Sequence, residues 1–99
     1  MQKTKTFRFV DDQQSWDFDI TYNLPSVRTI IDFERQRSTI GDVPNAGLQS
    51  IEMILSFVQG QLVEMIGPVT EVEEMPGAWM IEVFNNMIGV EAEDSEGNG

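Results

Sequence analysis

TKTFRFVDDQQSWDFDITY, residues 4–22, alternates twice between apolar and polar side chains. In Thr4–Val10, Phe7 and Phe9 share one face while Thr6 and Arg8 share the other. In Trp16–Tyr22, Trp16, Phe18 and Ile20 point one way and Asp17 and Asp19 the other. Period-two patterning in aromatic and β-branched residues predicts two half-buried strands. The polar link Asp11–Ser15 is short enough for a hairpin, although it lacks the Asn-Gly or Gly signal of a tight turn. On the wet face Arg8 is expected opposite Asp17 or Asp19. A lone hairpin is marginal in water, so its apolar face needs a cover.

The rest of the sequence supplies that cover as helices. Pro25 suits a first helical position, and Val27, Ile30, Ile31 and Glu34 follow at helical spacing. Arg28, Arg35 and Arg37 fall on the outside and toward the C-terminal end, where basic groups complement the helix dipole. Ser38–Asn45 reads as a loop through Gly41 and Pro44. A long helix is predicted from about Ala46 to Ile66, ended by Gly67-Pro68. Leu48, Ile51, Leu55, Val58, Leu62 and Met65 form its main stripe, and Ile54, Phe57 and Ile66 widen it. Gly60 in its middle suggests close approach by a neighbour. Thr70 and Glu73 have the spacing of a capping box, but Pro76-Gly77 argues against a long helix there. A final helix is predicted from about Pro76 to Ile88, with Gly89 at its left-handed end.

The resulting class is α+β: an N-terminal β-hairpin, then about three helices packed on one core over residues 1–89. Residues 90–99, VEAEDSEGNG, are expected to form a disordered acidic tail. A chain of 99 residues supports one core, and 40% hydrophobic with 23% charged residues is an ordinary globular balance.

Charge is unevenly distributed. All six basic residues lie within the first 37 positions, where six acids balance them. Residues 38–99 hold eleven acids and no base, so the net charge of −11 belongs to that part. Such a block repels phosphate and anionic lipid and attracts basic protein surfaces, or serves solubility alone. Lys3, Lys5 and Arg8 interleave with Phe7 and Phe9, yet the surrounding aspartates oppose direct nucleic-acid binding. No basic start leads into an apolar run, and no stretch is long enough to span a membrane. A cytoplasmic protein without a membrane role is expected.

The chain has no histidine and no cysteine, which removes the commonest general base, thiolate ligands and disulfides. Phosphate-cradling glycine motifs are absent, and Asp11-Asp12 with Asp17 and Asp19 lack calcium-loop spacing. No catalytic, cofactor or metal residue is therefore assigned, and a non-enzyme is expected. Six methionines invite a different reading, because Met adapts to varied partners as well as filling cores. Met75, Trp79, Met80, Val83, Phe84 and Met87 are read as a helical face with surplus apolar surface for a protein partner or a second copy. Trp16 is the expected core anchor and Trp79 the expected hot spot. Glu71, Glu73 and Glu74 are the acidic candidates beside that face.

The hairpin KTFRFVDDQQSWDFDI, the LPSVRTI lead-in to the first helix, the central helix, and the last helix with Trp79 before EAEDSEGNG give a layout that resembles the small tail assembly chaperones of long-tailed bacteriophages. The resemblance implies binding to a tape measure protein, shielding of its hydrophobic segments, and help in assembling tail tube subunits around it. It implies no catalytic residues. The acidic block supports an alternative, an inhibitor of the anti-host or anti-CRISPR type that imitates nucleic-acid charge and blocks a basic groove.

Overall fold

The computed structural model describes residues 1–41 and 45–89. The expected tail lies outside them, as do residues 42–44 of the Ser38–Asn45 loop. Strands β1 (Gln2–Asp11) and β2 (Gln14–Asn23) form the hairpin, each longer at both ends than its alternating segment. Asp11 pairs with Gln14, so the turn is only Asp12-Gln13, and Asp12 adopts φ 54°. Asp tolerates that left-handed conformation better than most residues, which replaces the missing glycine.

The hairpin's inner face buries Phe7, Phe9, Phe18, Ile20 and Tyr22. Its outer face is a ladder of polar pairs. Thr4 and Thr21 hydroxyls meet at 2.8 Å, and Thr6 Oγ1 donates to Asp19 Oδ1 at 2.7 Å. Arg8 faces Asp17, donating from Nε to Oδ1 at 2.8 Å and from Nη2 to Oδ2 at 3.2 Å. That hydrogen bond, with the guanidinium charge, holds the Asp17 carboxyl below the usual aspartate range. A depressed folded-state pKa adds stability above the unfolded value, and the gain is lost as pH falls through the folded one. Asp17→Asn is therefore expected to lower Tm slightly at neutral pH, with the two melting curves converging in strong acid. Both groups are exposed, so the effect is small.

Helix α1 (Val27–Ser38) starts at Ser26, whose Oγ accepts from the Thr29 N–H at 3.1 Å. Ser26 is therefore the N-cap and Pro25 precedes it, two positions before the first helical residue, Val27, rather than at the first helical position as expected. Phe33 is the residue that α1 buries, whereas Val27 is 74% exposed and Ile31 is also exposed. The stripe read from Val27, Ile30, Ile31 and Glu34 thus lies to one side of the true core face.

Helix α2 covers Ala46–Gln61 and stops five residues before the predicted end. Leu62–Ile66 instead forms β3, antiparallel to β2, in a sheet ordered β1-β2-β3. The misreading has a structural cause. Tyr22 pairs with Leu62 and Thr21 with Glu64, so Val63 is an extra, bulged residue. The bulge turns both Leu62 and Met65 toward the core although they are three apart, a spacing that reads as helical. Within α2 the buried residues are Ile54, Phe57 and Val58, while Leu48 (58%) and Ile51 (51%) are exposed. A methyl group at Gly60 would meet nothing within 4 Å, so no close approach explains that glycine.

A single 3-10 turn at Val72–Glu74 follows, in place of a capping box: Glu71 and Val72 carbonyls accept from Glu74 and Met75 N–H groups at 3.0 Å. Helix α3 (Gly77–Met87) ends as predicted, with Gly89 at φ 90°. It bridges the two halves of the core. Near its start Trp79 stacks on Phe9 at 4.7 Å. Further along, Phe84 closes a three-ring cluster with Phe33 (5.3 Å) and Phe57 (5.5 Å). Among the described residues no helix is long and apolar enough to cross a membrane.

Candidate functional site

The predicted partner face on the last helix is largely interior. Met75, Met80, Val83, Phe84 and Met87 are all buried in the one hydrophobic core. This corrects the expectation of surplus apolar surface there. The physical reason is that α3 contacts both the sheet and the α1–α2 pair, so two sides of it are covered rather than one. Trp79 is half-buried and lies in an aromatic group with Phe9, Trp16 (5.3 Å) and Phe18 (5.8 Å). Trp16 is half-buried too, so the two tryptophans cap the hairpin end of the core together.

The acidic candidates stand differently. Val72 and Met75 are buried and pin the 3-10 turn, leaving Glu71, Glu73 and Glu74 exposed around it. The structure thus brings the three carboxylates to one displayed turn, supported from below by two apolar anchors.

A concave site not expected from the sequence lies between α1 and α2. Its α1 wall is Thr29, Asp32, Phe33 and Gln36, spaced i, i+3, i+4 and i+7 on one helical face. Gln49, Glu52, Met53, Ser56 and Phe57 repeat that spacing on α2. The open groove measures about 660 Å³, which is within the range of ligand-sized clefts. Phe33 and Phe57, with ring centroids 4.8 Å apart, form the floor and hold the helices at their crossing. Met53 is half-buried beside them. Its thioether and flexible stem suit a surface that adapts to what lies on it.

Asp32 and Glu52 place one carboxylate on each rim, and Gln36 and Gln49 add amides. Asp32 lies 3.7 Å from Arg28, an exposed i, i+4 ion pair of the kind that contributes little stability in water. The Gln49 amide donates to Asn45 Oδ1 at 2.8 Å, which orients it at the start of α2. The groove combines an apolar floor that could bury a side chain with a carboxylate on each rim that could attract a cationic group. Among the described residues no group of three or more carboxylates converges as a metal site.

The signal for the groove was present in the sequence as Phe33 with Asp32, and as Ile54-Phe57 beside Met53. The competing stripe through Leu48, Ile51 and Leu55 obscured it.

Comparison of the chain with protein-family models, with curated proteins and with solved structures finds no match.

Proposed function

We propose that this chain is a non-enzymatic protein-binding adaptor that works through the α1–α2 groove. The observation that supports it most directly is the pairing of an apolar floor, Phe33, Met53 and Phe57, with the acidic rims Asp32 and Glu52. The complementary occupant is a partner segment that offers apolar side chains flanked by Lys or Arg. In its specific form the reading is an assembly chaperone like those of phage tails, which shields hydrophobic stretches of a long client until assembly. The net charge of −11 fits that role by steering basic clients and keeping the loaded adaptor soluble.

The displayed turn with Glu71, Glu73 and Glu74 supports a second reading, a charge mimic that blocks a basic groove. One experiment separates the two. Proteins captured by the tagged chain from the native lysate are compared for wild type, Met53→Glu and the triple Glu71→Lys, Glu73→Lys, Glu74→Lys variant, with folding of each checked by circular dichroism. The adaptor reading expects capture that survives high salt, is lost in Met53→Glu and persists in the triple variant. The opposite pattern, with capture lost at high salt, overturns it in favour of the mimic.

A further inference from the structure

We infer that strand β1 is a self-complementary edge through which two copies of this chain join into one six-stranded sheet. This goes beyond the adaptor reading and does not depend on the groove. In the order β1-β2-β3, β1 is an edge, and no described strand lies on its outer side. It is ten residues long, with every residue outside Lys5, Phe7 and Phe9 exposed. A long edge leaves a row of backbone donors and acceptors facing outward, which another strand can pair.

The charge order along β1 selects the occupant. Lys3 and Lys5 lie toward its start and Asp11 at its end, followed by Asp12. Parallel addition of a second copy would set Lys3 against Lys3 and Asp11 against Asp11. Antiparallel addition reverses one copy and sets unlike ends together. Closed two-fold contacts of this kind are isologous, the commonest arrangement for homodimers.

The register follows from the faces. Phe7 and Phe9 are buried and their even-numbered neighbours are exposed, so odd residues of both copies must share the helix-covered face. Directly opposite residues must then have an even sum. The pairing centred on Phe7 meets that condition and places Lys3 opposite Asp11 of the other copy, twice per dimer. The pairing centred on Thr6 instead sets Lys3 opposite Phe9 and is electrostatically poorer. The Phe7-centred pairing also places Thr4 opposite Val10, which is exposed. Edge lysines discourage indiscriminate strand addition, and here they leave a copy ending in aspartate as the fitting partner. The two helical layers then cover one side of a continuous sheet, and each dimer presents two α1–α2 grooves.

The test is sedimentation equilibrium of the full chain from micromolar to millimolar concentration at moderate salt. Wild type is expected to show a monomer–dimer equilibrium. Lys3→Asp and Asp11→Lys, both at exposed positions, are each expected to weaken it by about tenfold or more. The double variant Lys3→Asp with Asp11→Lys restores opposite charges across the pairing and is expected to regain wild-type affinity. A second readout uses the absence of native cysteine. In the variant carrying Lys3→Cys with Asp11→Cys, mild oxidation should give a covalent dimer, because eight residues of extended strand, about 26 Å, separate the two positions within one copy. A wild type that stays monomeric throughout overturns the proposal. So does a dimer indifferent to both single reversals, or one that the double swap fails to restore.

Discussion

Phe84→Ala is expected to remove a large share of the stability of this protein. Phe84 is 3% exposed and touches both Phe33 and Phe57, so its ring is the point at which α1, α2 and α3 meet. Truncating a buried Phe to Ala costs about 3–5 kcal/mol, from lost transfer energy and the cavity left behind. Small domains have only about 5–15 kcal/mol in total. At about 4–8 °C per kcal/mol for a domain of this size, Tm should fall by about 12 °C or more. Thermal and urea denaturation followed by circular dichroism measure it directly. A fall of only a degree or two would mean that α3 is not packed as described. The sequence reading makes Phe84 a partner contact, so the same variant would lose binding on that view as well. The two views separate on the folded state: an interface residue leaves Tm in place, and a core residue does not. Trp79→Ala, at a half-buried site, should cost less than Phe84→Ala while still lowering Tm through the lost Phe9 stack.

Gly67→Ala is the second large effect, and it acts by crowding. A methyl group at Gly67 would run into the Phe18 ring, meeting Cγ and Cε2 at 3.0 Å with Cδ2 closer still. Phe18 is 0% exposed and is flanked by Phe9 and Trp79, each 5.8 Å away between ring centroids. The ring therefore has little room to withdraw. Overpacking of this kind costs about 1–3 kcal/mol, and Tm should drop accordingly. Gly60→Ala is the matched control, because its methyl group meets nothing within 4 Å inside α2. There the change is expected to stabilise by up to about 1 kcal/mol through helix propensity. Equal effects at the two glycines would contradict the packing of Gly67 on Phe18.

The hairpin followed from alternation alone, because a strand covered on one face writes period two directly into residues 4–22. Three helices followed as well, with α3 ending at Met87 and the left-handed Gly89 just beyond it, as predicted. Strand β3 was hidden, since a bulge at Val63 let Leu62 and Met65 keep a spacing of three while facing the core. The α1–α2 groove was hidden for another reason. Periodicity locates an apolar stripe but does not say which of two overlapping stripes meets a neighbour, and in α2 both Leu48-Ile51-Leu55 and Ile54-Phe57-Val58 qualify.

The sequence by itself determined the local matters: which segments alternate and which recur at helical spacing, where α3 ends, and how the charge divides at residue 37. Each of these rests on interactions between residues close in the chain, or on composition, which needs no neighbours. Only the tertiary structure decided that the apolar residues of α3 are interior, that β2 recruits Leu62–Ile66 as a third strand, and that Asp32 and Glu52 flank one apolar floor. Those outcomes depend on which surfaces compete for burial against which, and one-dimensional patterning carries no record of that competition.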